Sequence, residues 1–193
     1  MSSAGAGAWA RHEITTATSA TIIDATLTSG GKVSLTAEDT SQITAIIAAV
    51  AIGVGAGAGG LGVAIGGAVA ENIISTVTTA QILRSSVFYS VSSDLTLQAT
   101  TNQVINALVL AGSMAVAVGD GGAVGASGAA ARNSITGQTT ASVDGGVTGA
   151  TIGSETVPVA SITIKALDTS LINAVTGAAS IAASFGPNVG VAI

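Results

Sequence analysis

The sequence predicts an all-β protein, a β-solenoid of three stacked coils of about 60 residues each, forming a single domain over residues 1–193. Three observations predict this fold. Two sequence blocks each occur three times in a fixed order, and apolar and polar residues alternate with a period of two within them. The apolar residues are mostly Ala, Val, Ile and Gly, and only 8% of the chain is charged, which is far from the composition of an ordinary soluble domain.

The first block has the pattern apolar-x-apolar-x-Ala, followed by an isoleucine six residues after that alanine. Its anchors are Ala37 and Ile43, Ala99 and Ile105, and Ala166 and Ile172. In the first copy Val33, Leu35 and Ala37 point one way, and the polar residues between them point the other way. This alternation predicts strands with one face in water.

The second block is rich in threonine and begins at His12, Asn72 and Asn133. A loop of variable length follows it, and this loop is longest in the third copy, where it carries Pro158. Insertions concentrate in exposed loops, so we expect this one to lie outside. The resulting coils are approximately 4–64, 65–125 and 126–193. The sequence GVAI occurs at 62–65 and at 190–193, so three whole units are expected.

The stretch 43–70 carries no charge and no proline. Read with a period of two, both of its faces are apolar, which predicts a strand buried on both sides. The face that begins with Ile43, Ala45 and Ile47 narrows to Gly53 and Gly55. Small residues on that face predict that a neighbouring sheet comes closer than the usual ~10 Å.

A glycine-zipper membrane helix is the alternative interpretation of this stretch, since about 18–20 apolar residues span a bilayer as a helix. The other two copies disfavour the helix, because they contain Asp120 and Pro187 in the corresponding region. Glycine is also frequent there, and each helical glycine costs about 1 kcal/mol relative to alanine.

A coil of about 60 residues that enclosed a round space would leave that space empty, whereas protein interiors are close-packed. We therefore expect the coil to fold inward with a three-lobed cross-section, in which the apolar run forms inner strands. Equivalent residues then stack about 4.8 Å apart. His12, Asn72 and Asn133 should form one column, with asparagine side chains bonded along the stack at a corner.

Composition excludes several classes of function. The chain has no cysteine, which rules out disulfides and thiolate metal sites. Five basic residues stand against ten acidic ones, and no basic patch is present for nucleic acid. Residues 1–13 lack the basic segment and apolar core of a signal peptide.

No catalytic, cofactor-binding or metal-binding residue is predicted, and an enzyme is the least expected class. The only histidine, His12, belongs to the predicted column. Asp120 and Asp144 precede glycines, as in tight turns, and neither continues into a calcium-binding nonapeptide repeat. Asp39 and Asp168 occur in the tripeptide Asp-Thr-Ser and are also assigned to turns. Weak cation binding at these four carboxylates stays open.

Two possible contact surfaces are weighed against a structural role. Phe88 and Tyr89 in the variable loop are candidates for a small exposed contact. A row formed by Thr18, Thr78 and Thr139 matches the composition of ice-binding faces, but threonine is also a good strand residue. The glycine run at 53–62 is not a phosphate loop, because no Gly-Lys-Ser/Thr follows it.

The alternating Ala/Gly/Val segments, the Asn72-Ile73 pair, the Thr-Thr-Ala triplets and the Leu-Thr-Leu-x-Ala block ending at Ala99 together resemble the repeat region of large bacterial exoproteins. These are the leukotoxin-like filamentous adhesins and haemagglutinin-like β-solenoids. The resemblance covers about 12–193 and implies an extracellular β-solenoid that serves as a stalk, fibre or adhesive shaft. The departure is size, because only three units are present.

The expected function is therefore structural. A solenoid exposes unpaired strand edges at both ends, and neither end here carries a cap. Matching ends favour a head-to-tail homo-oligomer or filament at the cell surface or outside the cell. The alternatives are a surface-binding module, either an adhesin or an ice-binding face, and a membrane-inserting protein built on residues 43–70.

Overall fold

The structure is a computed structural model, and it describes residues 1–147, 149–186 and 190–193. Secondary structure in these ranges is entirely strand. The strands are β1 (Ser2–Ile23), β2 (Thr26–Ser29), β3 (Val33–Ala56), β4 (Gly62–Leu83), β5 (Ser86–Tyr89), β6 (Asp94–Val118), β7 (Ala123–Asp144), β8 (Ser161–Phe185) and β9 (Gly190–Ala192). The all-β prediction is confirmed.

Each coil consists of a long strand, a short segment and a second long strand. Equivalent strands of successive coils pair in parallel and form three sheets. The first sheet has the order β1-β4-β7-β9, the second contains β2 and β5, and the third has the order β3-β6-β8. This is the predicted β-solenoid of about three coils.

The register of the sheets follows the sequence repeat. Ala37 pairs with Ala99, which pairs with Ala166, and the isoleucine anchors pair in the same way. Ile65 and Ala126, the predicted first residues of the second and third coils, are also register partners. The repeat therefore specifies the hydrogen-bonding partner of each residue in the long strands.

The coil is flattened. The first and third sheets face each other across a thin interior, and the short second sheet closes one end of it. One core cluster there joins all three sheets, with Ile82 from the first, Val87 from the second and Leu97 from the third. Three sheets of unequal length thus take the place of the three predicted lobes.

Two kinds of turn close the coil. At one end the chain passes directly from the third sheet back to the first through residues 57–61, where Gly57 and Gly59 have the positive φ angles that favour glycine. At the other end the strand bends at Asp24 and Arg84, which also have positive φ. The variable segment that follows carries β2 or β5 in the first two coils. In the third coil Pro158 is exposed, and Val157 and Val159 pack on the core.

The strand prediction for the stretch 43–70 is confirmed, since the stretch contains parts of two strands, β3 and β4, joined by a turn. The alternative of a single helix is wrong, and the predicted burial of the stretch also needs correction. The stretch is not buried on both faces. Ile47 is 7% exposed, whereas its neighbour Ile46 is 74% exposed. The reason is that each long strand has only one inward side in a coil made of two facing sheets.

The small inward face does bring the two sheets close together, as predicted. A Cβ atom at Gly53 would overlap the carbonyl oxygen of Val63, and one at Gly66 would overlap that of Gly112. A Cβ at Gly55 would lie 2.6 Å from the carbonyl carbon of Leu61. Glycine is required at these positions because the opposing backbone occupies the space of a side chain.

The alternation within β3 gives a direct test of the inward and outward assignment. We expect Ile47→Ala to lower the free energy of unfolding by about 2–4 kcal/mol, because it leaves a cavity in the core. Thr36→Ala, on the outer side of β3 and outside the apolar run, is the control and should cost less than about 1 kcal/mol, because Thr36 is exposed. Denaturant unfolding followed by circular dichroism measures both. Equal losses would contradict the assignment.

Adjacent glycines in β4 test the close approach of the sheets. A Cβ atom at Gly66 would overlap the backbone carbonyl oxygen of Gly112 on the opposite sheet, whereas nothing lies within 4 Å of a Cβ built at Gly67. Gly66→Ala should destabilise the fold by about 1–3 kcal/mol through overpacking. Gly67→Ala should be neutral or stabilise it by up to about 1 kcal/mol, because it restricts the unfolded chain. Thermal unfolding of the two variants, measured side by side, distinguishes these outcomes.

Candidate functional site

A layer of polar side chains crosses the middle of the interior. Asp39 is 6% exposed and accepts hydrogen bonds from Thr16 Oγ1 and from Ser41 Oγ, both at 2.7 Å. In the second coil the equivalent residue is Thr101, whose hydroxyl donates to Thr78 Oγ1 at 2.9 Å and lies 2.7 Å from Thr139 Oγ1. The layer therefore satisfies its own polar atoms inside the fold.

The turn assignment for Asp39 and Asp168 is wrong. Both residues lie within long strands and point inward, in the same column as Thr101. Asp168 Oδ1 accepts a hydrogen bond from Ser170 Oγ at 2.6 Å. Hydroxyl groups bond both carboxylates, Asp39 in the interior and Asp168 at the exposed end of the stack, so the tripeptide does not need to form an Asx turn. Within the described residues, no group of three or more His, Cys, Asp or Glu side chains is arranged to hold a metal ion.

The predicted column of His12, Asn72 and Asn133 is present. His12 Nδ1 lies 3.0 Å from Asn72 Oδ1, and Asn72 Nδ2 donates to Asn133 Oδ1 at 2.8 Å. The column lies within β1, β4 and β7, so its placement at a corner is wrong. Because Asn72 is fully buried, these amide bonds fix the register of the first sheet.

The threonine row does not form an exposed face. Thr78 is fully buried, and its partners Thr18 and Thr139 point to the same interior. Tyr89 is also buried, and its hydroxyl donates to the carbonyl of Asp94 at 3.2 Å. Phe88 is half-buried, so it does not form an exposed contact together with Tyr89.

The turn predictions for Asp120 and Asp144 are confirmed. Asp120 follows Gly119, which has a positive φ angle, between β6 and β7. Asp144 ends β7, and its Oδ1 accepts a hydrogen bond from the backbone N–H of Gly146 at 2.8 Å.

Charged side chains pair along the coil stack. Arg84 donates to both carboxylate oxygens of Asp24 at 2.6 Å. These hydrogen bonds lower the pKa of Asp24 and raise the pKa of Arg84. On the first sheet, Glu71 lies 3.5 Å from Arg11 and 3.2 Å from Arg132. Such surface pairs favour the observed register but add little stability.

Tyr89 is the remaining titratable group with a clear shift. Burial raises the pKa of its hydroxyl, and the negative charge of Asp94 acts in the same direction. The hydroxyl therefore stays protonated at neutral pH and acts as a hydrogen-bond donor at the end of the core.

The last long strand leaves its inward face partly uncovered. Ile162, Ile164 and Ile172 of β8 are 49%, 47% and 44% exposed, whereas their partners in β6 are fully buried. β8 pairs with β6 along one edge, and no described strand pairs with its other edge. At the opposite end of the solenoid, β1 and β3 likewise each have one paired edge. We call the free ladders of β1, β3 and β8, together with the part of β7 that β9 leaves unpaired, the open edges.

The third sheet also carries an exposed apolar surface that the sequence analysis missed. It consists of the outward residues 46–56 of β3 with their partners on β6 and β8, and we call it the apolar outer face. The period-two pattern contained this signal, but both faces of the run were assigned to the interior. The face contains a shallow groove of about 400 Å³ lined by residues such as Ala48, Gly112 and Gly177.

Comparison of the chain with protein-family models, curated proteins and solved structures finds no match. Among the residues that the structure describes, no helix is long and apolar enough to span a membrane.

The buried polar layer can be tested at Thr101. Thr101→Val removes a hydroxyl and leaves the hydroxyls of Thr78, which is buried, and Thr139, which is partly buried, with one partner fewer. We expect a loss of about 1–3 kcal/mol in the free energy of unfolding. Thr40→Val, on the exposed side of β3, is the control and should be nearly neutral. Equal stability of both variants by denaturant unfolding would contradict the hydrogen-bonded layer.

Proposed function

We propose that this protein is a structural β-solenoid that forms, or belongs to, an extracellular fibre or adhesin shaft and extends by head-to-tail stacking of its open edges. The observation that carries the proposal is the uncovered apolar side of β8 beside an unpaired ladder. The proposal assigns the chain no catalytic role and no cofactor.

Stacking would bury the residues that β8 leaves exposed. The next copy's β3 would lie against β8 as β8 lies against β6, so Ile172 would meet Ile43 and Ala166 would meet Ala37. Burial of apolar surface and completion of a backbone ladder both favour this contact. A contact between different surfaces on identical chains does not close and generates a filament.

One structural feature bears on how copies would join. Gly190 pairs with Ala123, and Ala123 pairs with Gly62, the partner of Ser2. β9 therefore occupies the place that residues 2–4 of a stacked copy would take. In a filament of separate chains one of these segments must move, whereas in a longer chain β9 would continue as a fourth long strand.

The resemblance to bacterial exoprotein repeats supports the extracellular assignment and remains a proposal. Its motifs correspond to elements of the coil: the Leu-Thr-Leu-x-Ala block lies in β6, and the Asn72-Ile73 pair lies in β4. Exoprotein shafts require length and resistance to unfolding, which a stack of in-register parallel strands provides.

Negative-stain electron microscopy and fibre diffraction test the proposal. We expect long filaments with a β-type circular dichroism spectrum and a reflection at ~4.8 Å along the filament axis. A chain that ends at residue 189 should assemble at lower protein concentration, because β9 no longer occupies the site of the next β1. A protein that stays monomeric at high concentration in both forms would contradict self-stacking.

The stacked register makes a more specific prediction. It places Asp168 beside Asp39 of the next copy in the interior, and two carboxylates about 5 Å apart repel by roughly 3 kcal/mol at an effective dielectric constant of about 20. Asp168→Asn should therefore lower the critical concentration for assembly about tenfold or more. Light scattering at several protein concentrations measures this value.

Glu38→Gln is the matched control for Asp168→Asn. It removes the same charge from the outer side of β3, where the stacked neighbour would be Leu167. Its effect should be small, because solvent screens charges on that side. If the two variants shift assembly equally, the proposed register is wrong.

A further inference from the structure

The outer side of the third sheet is divided along its strands into a polar part and an apolar part. The boundary is the row Thr44, Asn106 and Asn173, in which Asn173 Nδ2 donates to Asn106 Oδ1 at 3.0 Å. Before this row the outward residues include Glu38 and Lys165. After it, the apolar outer face carries only Ala, Val, Ile, Leu, Met, Gly and Phe.

The apolar outer face is well exposed to solvent. Ile46 is 74% exposed, Ile52 54%, Val175 61%, Ile181 59% and Phe185 65%. Six rows on three strands cover roughly 35 Å by 14 Å, or about 500 Å². A continuous apolar surface of this size, without a charged residue, is at the upper end of what monomeric proteins expose and is typical of an interaction site.

The side chains of the apolar outer face form two ridges with a groove between them. Two ridges, Ile46-Leu108-Val175 and Ile52-Met114-Ile181, lie on either side of the shallow groove. In the third coil the groove is lined by the small residues Gly177 and Ala179, whereas Val50 and Leu110 line it in the first two coils. A ridge from a second face, turned by a half rotation, fits this groove in the manner of interdigitated sheets.

We propose that the apolar outer face pairs with the same face of a second copy of this chain, by a two-fold axis that lies in the interface, parallel to the sheet. The pair buries about 1,000 Å² in total, which is the area that a specific interface needs. The contact is isologous, so it closes after two copies. Because no charge lies on the face, pairing removes no ion from water.

A second copy fits this surface better than a lipid bilayer does. The face is bordered on both sides by open edges, those of β3 and β8, whose backbone groups need water or another strand. Hydrocarbon satisfies neither N–H nor C=O groups, so immersion of these edges is costly. A sheet-to-sheet pair covers the side chains and leaves both edges accessible.

The pairing is independent of head-to-tail stacking, since it uses side chains of the outer face and not the backbone edges. If copies also stack, each added copy extends the continuous apolar outer face by about 500 Å². Two filaments can then pair along their whole length. Lateral pairing of short rods and lateral pairing of filaments thus have the same cause.

The test compares Ile52→Lys with Thr36→Lys. Both add one lysine to the outer side of β3, the first on the ridge of the apolar outer face and the second in the polar part. Sedimentation velocity on freshly diluted protein should show wild type and Thr36→Lys at twice the chain mass of 18.2 kDa, or as paired filaments by electron microscopy. Ile52→Lys should raise the dimer dissociation constant about 100-fold.

Circular dichroism confirms that each variant is folded, and a second substitution, Ile181→Lys, repeats the test on another strand of the same ridge. Wild-type protein that shows no lateral pair in either assay overturns the proposal, whether or not it stacks. Flotation with phosphatidylcholine vesicles provides the other arm. Wild type that floats with vesicles, and loses this property in Ile52→Lys, would overturn it in favour of a lipid surface.

Discussion

The close approach of the first and third sheets is the constraint on which the rest of the structure depends. At Gly53 and Gly66 the opposing backbone lies where a side chain would be, so the interior there has no room even for a Cβ atom. Next to Gly53 the larger apolar residues Ile52 and Val54 point outward. The thin interior and the apolar outer face are thus two results of one sequence pattern.

Much of the fold follows from the sequence because the repeat and the register are the same information. The spacing of Ala37, Ala99 and Ala166 predicts which residues pair, and the column that begins at His12 follows in the same way. The period-two alternation of side chains does not show which face of a strand is covered by another part of the fold. Ile46 and Ile47 are equally apolar in the sequence, and only the two-sheet cross-section decides that one is buried.

The polar interior was out of reach of local sequence rules for a related reason. Asp39 in Asp-Thr-Ser has the composition of a turn, and its strand conformation depends on Thr16, which is 23 residues away and belongs to the facing sheet. In the second coil the equivalent residue is Thr101, whose hydroxyl takes the place of the Asp39 carboxylate and bonds to Thr78. A long-range partner therefore overrides a local preference, whereas the turn at Asp144, which uses its own neighbouring backbone, was predictable.

The parallel ladders have a mechanical consequence. The hydrogen bonds between successive coils point along the solenoid axis, and β1 pairs with β4 over its whole length, from Ser2 to Ile23. A pull along the axis is therefore shared by every bond of two long ladders at once, and no single bond bears the force. Separation of the coils would begin at a corner, where the ladders are interrupted. The ion pair between Arg84 and Asp24 joins neighbouring coils at that point.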